Sequence, residues 1–219
     1  MSTAHLGDFY REVARVALSV ADRYGFVLGG GVAWAAHGLV NRPTEDLDLF
    51  ADVDGAAGAA ATEVRNVLRA AGFDVRDEDP TGDLASLFDG FDQDMKDFVV
   101  SRGGRQLRLT LGRLDRHRSP VVMDLGPVMH VQDLVASKTV ALITRREVRD
   151  YIDIAAALDV YRLDELLALA HSYDPALDPE DIRAAGHYLD RLPDRRFARY
   201  GLTEDEVRIV HQRLADWPR

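Results

Sequence analysis

The stretch LGGGVAWAAHGLVNRPTEDLDLF, residues 28–50, sets three glycines ahead of two aspartates one residue apart. Its reading decides the fold. FVL (26–28) has the character of a short strand running into the glycines, and VAWAAHGL (32–39) that of a short helix ending near Gly38. TEDLDLFADV (44–53) predicts a strand with Asp46 and Asp48 on one face and Leu47 and Leu49 on the other, because successive side chains of a strand point to opposite sides. Two carboxylates that close raise each other's pKa unless something positive sits between them. The stretch therefore asks for a cation, and for a ligand that the cation neutralises.

Working outward, residues 8–24 carry Phe9, Val13, Val16, Ala17, Val20 and Ala21 at helical spacing, and GAAGAAATEVRNVLRAAGF (55–73) reads as an alanine-rich amphipathic helix. Residues 74–96 are acidic and glycine-bearing and predict a loop with little regular structure. DFVVS and RQLRLTLG flank Arg102-Gly103-Gly104-Arg105, a hairpin signal, and PVVMDLG adds one further short strand. From Val131 the character turns helical: VQDLVASKTVALITRR, EVRDYIDIAAALDVY, DELLALAHSY, a segment at 179–192 and TEDEVRIVHQRLADW, with proline-bearing breaks at 175–179 and 193. The expected fold class is α+β, a small mixed β-sheet core over residues 1–125 followed by a helical C-terminal part over 126–219.

The chain has 219 residues, enough to bury a core, and no cysteine, which removes disulfides, cysteine–zinc sites and thiol catalysis. No secretory signal is legible at the N-terminus and no apolar run is long enough to span a bilayer, so the expectation is a soluble cytoplasmic protein with no membrane partner. A net charge of −10 argues against broad nucleic-acid binding. Against that average, Arg102, Arg105, Arg108, Arg113, Arg116 and Arg118 crowd one segment and Arg145, Arg146 and Arg149 another. They are either a local basic face or solvated surface residues.

A strand, a glycine turn and a helix N-terminus make an anion site in principle, since bare N–H groups and the helix dipole face outward. Gly29, Gly30 and Gly31 supply the turn; the plain alternative is a tight turn that needs positive φ. Two nucleotide motifs are excluded. A Walker A loop ends in Gly-Lys-Ser/Thr, and Val32 and Ala33 stand there instead. A dinucleotide fingerprint needs Gly or Ala where Trp34 stands, and alternating β-α-β units that the rest of the chain lacks. Asp46 and Asp48 suit Mg2+, which takes one or two carboxylates and keeps its other positions for water and phosphate. The competing reading is a charged strand edge that resists aggregation. The histidines show no metal spacing, and no G-x-S-x-G elbow appears.

The glycine pair, a spacer with an arginine, and D-L-D-L-F resemble the opening motif of the nucleotidyltransferase superfamily related to DNA polymerase β. The sequence is most similar to its AbiEii/AbiGii branch, toxins of abortive-infection and toxin–antitoxin systems. There the opening motif is followed by a lysine-bearing helix and an Arg-Asp dyad, matched here by Ala136-Ser137-Lys138, Arg145 and Arg149-Asp150-Tyr151-Ile152-Asp153. The resemblance implies a nucleotidyltransferase core with Mg2+ on Asp46 and Asp48. It implies an NTP triphosphate cradled by Gly29 to Gly31 with Arg42 beside it, Lys138 on the phosphates, and Asp150, or else Asp153, as a supporting acid or base.

It also implies transfer of a nucleotide onto an acceptor hydroxyl, the tRNA 3′ end in some members, and a cognate antitoxin partner. A small molecule or a protein is the alternative acceptor, and a degenerate binder without turnover the non-enzymatic reading. Lys138 supports the resemblance independently. It is the only lysine besides Lys96, and it sits on an otherwise apolar helical face. Two departures stand out. Relatives often carry serine at the second or third glycine, and a third carboxylate is expected where Thr110 stands, with Asp115 or Asp124 as substitutes.

Overall fold

The computed structural model describes residues 7–39, 46–78 and 95–219. The described residues form two compact units, one of 7–36 with those from 46 to 130, the other of 37–39 with 131–219.

In the first unit, α1 (Asp8–Ala21) buries Phe9, Val13, Ala17 and Ala21 of the expected stripe, while Ala14 and Leu18 take the inner positions expected of Val16 and Val20, which are only half-buried. The sheet contains β1 (Val27–Leu28), β2 (Asp46–Ala51), β3 (Asp74–Glu78), β4 (Met95–Arg102), β5 (Arg105–Arg113), β6 (Val121–Met123) and β7 (Gly126–Val128). They lie in the order β3-β4-β5-β2-β1-β7-β6. β2 runs parallel to β5 and β1 parallel to β7, while the other neighbours are antiparallel. The sheet is therefore mixed, as the sequence predicts. Between β1 and β2 lies α2 (Gly30–Ala36), and α3 (Ala56–Ala70) buries Ala56, Ala57, Ala60, Ala61, Val64 and Leu68 on the side that meets α1 and strands β3–β5.

β2 sits near the middle of the sheet, and its alternation fixes its register. Leu47 and Leu49 are fully buried, worth about 1.5–3 kcal/mol each. A one-residue slip would expose both and bury Asp46 and Asp48 instead.

Two expectations need correction. Residues 74–78, expected in a loop, form edge strand β3, paired with β4 from Asp74↔Ser101 to Glu78↔Asp97. DVRDE turns only Val75 fully inward; charges on an edge strand discourage further pairing and also erase the apolar alternation that reveals a strand. The second expectation is incomplete: PVVMDLG supplies the short strand expected of it, β6, but the chain then turns back into a second strand, β7, with Met123 opposite Gly126.

The second unit is helical: α4 (Val131–Arg145), α5 (Val148–Ala157), α6 (Leu163–Tyr173), α7 (Pro179–Leu189) and α8 (Glu204–Arg213). Proline opens α7, where its missing N–H costs nothing, and the Asp178 carboxylate accepts the Glu180 N–H at 2.7 Å. Thr203 and Glu206 form a reciprocal cap on α8. The α4–α5 connection turns through Arg146, whose φ of 57° is left-handed, and an ion pair to Asp181 at 2.8 Å fixes its side chain. Tyr151 of α5 donates to the Ala185 carbonyl of α7 at 2.8 Å, and its ring stacks on Tyr188. The C-terminal tail crosses α7 at Gly186, where a Cβ would stand 2.1 Å from the Pro218 carbonyl oxygen.

Candidate functional site

The antiparallel β1–β2 pair brings the glycine turn onto the aspartates. Leu28 lies opposite Leu49, and one step further the Gly29 N–H donates to the Asp48 carbonyl at 2.8 Å. Gly29 has no room for a side chain, because a Cβ would stand 2.3 Å from Cδ2 of Phe50, which shares the aspartates' face. Gly30 is more constrained still. Its φ is 56°, and a Cβ there would lie 1.7 Å from Oδ2 of Asp48 and 2.9 Å from the Asp48 Cβ. The Asp48 carboxyl thus rests on bare backbone where α2 begins. The first N–H groups of a helix have no partner within it, so turn donors and a carboxylate meet at one place.

Asp46 and Asp48 are half-buried on one face of β2, with apolar residues behind them. Across the parallel pairing with β5, Asp46 faces Arg108 and Asp48 faces Thr110. The next strand adds what sequence reasoning missed. Asp97 of β4 lies opposite Thr110, and the Thr110 hydroxyl donates to its Oδ1 at 2.6 Å, the length of a charge-assisted bond.

A carboxylate is therefore present on this face, one strand further out than expected and linked through a hydroxyl. Neither substitute fills the Thr110 position: Asp115 follows β5 and pairs with Arg113 at 2.9 Å, and Asp124 lies in the β6–β7 turn at the sheet's edge. Arg108 donates from Nε to Glu78 at 2.6 Å. That bond is the main cause holding its pKa above the ordinary value, and the charges of Asp97, Glu78 and Asp46 add to it.

The donor set fits a hard divalent cation. Two carboxylates two residues apart, half-open on one strand face, offer oxygen ligands and leave the remaining positions to water or phosphate. Among the described residues no cluster of three or more His, Asp or Glu side chains could hold a metal unaided. Arg42 lies outside the described residues.

In the second unit, Lys138 is largely buried and its Nζ lies 2.9 Å from Oδ2 of Asp153, which is wholly buried. Asp150, equally buried, is held by two bonds from Arg145, Nε to Oδ2 at 2.8 Å and Nη2 to Oδ1 at 2.6 Å. These bonds hold the Arg145 pKa above its usual value against the opposing effect of burial. The two acids, alike in sequence, thus differ in partner. Asp153 is the one beside the lysine. Arg146 pairs with Asp181 and Arg149 with Glu147.

The arginines of the hairpin segment are mostly neutralised. Arg102 pairs with Glu12, Arg108 with Glu78, Arg113 with Asp54 and Asp115, and Arg116 with Asp52. Arg102 and Arg105 also lie over the rings of Phe73 and Phe9. Of the two readings of this segment, a free basic face is not the one found.

The family model described as "Nucleotidyl transferase AbiEii toxin, Type IV TA system" matches residues 14–215. No curated protein matches the chain. Among solved structures, JHP933 from Helicobacter pylori aligns with a TM-score of 0.60 at 16% identity, covering 98% of this chain and 92% of that one. MenT4, a nucleotidyltransferase toxin from Mycobacterium tuberculosis, aligns with a TM-score of 0.53 at 17% identity, covering 96% and 93%. At such identities these structures speak for the fold.

Proposed function

Because the chain belongs to the AbiEii family of nucleotidyltransferase toxins, we propose that it moves a nucleotide from an NTP onto the 3′ hydroxyl of an RNA acceptor, tRNA foremost, with Mg2+ as cofactor and a cognate antitoxin as its regulator. The observation that carries this reading is the Asp48 carboxyl seated against Gly30, with Asp46 beside it on the same strand face. A phosphate-ready turn and a pair of cation ligands are of use together, since the cation neutralises the anion the turn admits.

In this mechanism Asp46 and Asp48 hold Mg2+, which supplies charge neutralisation of the triphosphate and polarisation of its α-phosphate. The N–H groups of Gly30 and Gly31 take phosphate oxygens, and Arg42 adds a cation toward the nucleotide. Gly29 contributes the open space of a missing side chain, while its own N–H stays bonded to the Asp48 carbonyl. Lys138 offsets charge on the phosphates, and Asp153 holds its ammonium in place. Asp150 acts through Arg145, whose guanidinium it fixes by two bonds. The acceptor oxygen, losing its proton, bonds to the α-phosphorus as the bond to pyrophosphate breaks, so catalysis is positioning and charge stabilisation.

The pairing of Arg102, Arg108, Arg113 and Arg116 with acids favours a second reading, a small-molecule or protein acceptor. One experiment separates the two. The protein is incubated with each α-32P NTP, Mg2+ and total tRNA, and products are resolved on a denaturing gel beside Asp46→Ala. Label entering tRNA with one NTP, and lost in the variant, supports the first reading. Label on a small molecule or on protein selects the second. Equal labelling by a folded Asp46→Ala protein removes the metal assignment.

A further inference from the structure

Most arginines of the helical unit are ion-paired with acids: Arg145, Arg146, Arg149, Arg162, Arg208, Arg213 and Arg219. Arg183, on α7, is exposed with no ion pair among the described residues. Arg191, Arg195, Arg196 and Arg199 are exposed, and among the described residues none of them forms an ion pair. They fall within the ten residues 191–200, which contain a single acid, Asp194. The acids nearest in sequence are engaged elsewhere: Asp190 with Arg219 at 2.8 Å, and Asp194 facing His211 at 3.6 Å.

The segment is held in place from inside. Leu192 and Phe197 are buried, and the Phe197 ring lies 5.6 Å from that of His211. Two short 3-10 turns, Asp194–Arg196 and Ala198–Tyr200, carry the chain between these anchors. Arg191 Nε donates to the His187 carbonyl at 3.2 Å and Arg196 Nη1 to the Tyr188 hydroxyl at 2.9 Å. These bonds orient two guanidinium groups without neutralising them.

We propose that this arginine face, residues 191–199, is a docking surface for the phosphate backbone of RNA, and the proposal rests on the reading that RNA is the acceptor. Guanidinium forks match phosphate oxygens two at a time, and forks already oriented lose less entropy on binding. Half-buried Tyr200 beside Arg199 adds a ring on which an unpaired base can stack. The large apolar side chains of the segment, Leu192 and Phe197, point inward and only Pro193 and Ala198 are exposed, so it has no wedge for a bilayer and no large apolar anchor for a protein partner.

The test is fluorescence anisotropy of fluorescein-labelled tRNA at 50, 100 and 200 mM KCl without NTP. Wild type is compared with Arg191→Ala/Arg195→Ala/Arg196→Ala/Arg199→Ala, the corresponding fourfold lysine variant, and Arg195→Glu/Arg199→Glu. The double variant changes only residues that make no side-chain hydrogen bond among the described residues, so its fold is preserved if that of the alanine variant is not. Each phosphate contact contributes about 0.7–0.9 to the slope of log K against log salt, so four contacts weaken wild-type binding roughly 50- to 150-fold between 50 and 200 mM.

The expected result is that this slope falls by about 3 in the alanine variant, is largely kept in the lysine variant, and that the double variant loses tRNA binding. An unchanged slope in the alanine or double variant overturns the proposal, as does absence of tRNA binding by wild type. So does variant-sensitive binding to vesicles containing phosphatidylserine when tRNA binding is unaffected. The transfer assay separates this failure from that of the acceptor reading. Wild type and double variant labelling tRNA equally removes the docking face alone, whereas no label on tRNA from wild type removes the RNA acceptor.

Discussion

Gly30→Ala isolates the contact on which the active-site reading turns. At φ 56° an alanine costs roughly 1–2 kcal/mol of backbone strain, and its stiffer unfolded chain returns about 0.4–1 kcal/mol, a net loss of about 1 kcal/mol. The steric effect is larger in consequence. The new Cβ would lie 1.7 Å from Oδ2, 2.7 Å from Cγ and 2.9 Å from Cβ of Asp48. Ordinary carbon–oxygen contact begins at about 3.3 Å, so the carboxylate must retreat by about 1.5 Å. Turning the carboxyl group leaves the Asp48 Cβ where it is, so the turn itself must also give. A Mg2+–oxygen bond of about 2.0–2.1 Å does not survive such a displacement, and misplacement on the order of 1 Å costs about 100-fold in rate. Gly55→Ala is the control, with φ 71° and nothing within 4 Å of the added carbon. Gly55→Ala should melt about 2–4 °C below wild type by calorimetry, and Gly30→Ala lower still, because its added carbon also displaces Asp48 and the turn. Only Gly30→Ala should lose about 100-fold or more in kcat/KM for label transfer. Gly30→Ala retaining turnover within a few-fold of the Gly55→Ala control would refute the argument that the bare turn exists to seat Asp48.

Removing Lys138 alone takes the ammonium partner from the buried Asp153 carboxylate, so Lys138→Met should lose up to about 3–5 kcal/mol in denaturant unfolding. Lys138→Met/Asp153→Leu should recover most of that stability and none of the activity, which separates the pair's structural part from its chemical one. Gly186→Val should destabilise the protein in thermal melts, because the added carbon meets the Pro218 carbonyl oxygen at 2.1 Å and the Trp217 ring at 3.0 Å. Stability should fall at both ends of the pH scale. The hydrogen bonds from Arg116 to Asp52 and from Arg219 to Asp190 hold both carboxyls below their ordinary values. Their contribution is complete above about pH 4 and is lost as the pH falls through the lowered folded values. Burial raises the Tyr151 hydroxyl, so its contribution is complete below about pH 10 and is lost as the pH rises through the raised folded value. Chemical unfolding at pH 3, 7 and 11 measures both arms.

The face of β2 was legible because Leu47 and Leu49 set its phase in six residues, and no tertiary information was needed to place Asp46 with Asp48. Asp97 was legible in principle. The two-residue turn at Gly103-Gly104 pairs Arg102 with Arg105, and counting back along the hairpin puts Asp97 opposite Thr110. β3 was not legible, since a strand with one fully buried residue carries no alternation to read. Nor were the partners of Asp150 and Asp153. Both lie on one helix, and the left-handed turn at Arg146 decides which meets Lys138 and which meets Arg145, a backbone choice that an arginine does not announce.

The same limit explains why counting arginines along the chain left open whether a crowded segment is a basic face or a set of solvated surface residues. Arg113 meets Asp54 from 59 residues away and Arg102 meets Glu12 from 90, distances over which sequence proximity says nothing about charge. Partners, rather than density, decide whether an arginine is available. On a chain with a net charge of −10 the consequence is directional. Acidic surface repels a polyanion over about a Debye length, roughly 8 Å at physiological salt, so RNA is tolerated only where cations outnumber acids locally. On the proposed docking reading, the four guanidiniums without ion pairs clustered at residues 191–199 do two things at once: they attract the backbone, and the acidic remainder of the protein disfavours docking elsewhere. Charge confined in this way gives register as well as affinity, which a uniformly basic protein would lack.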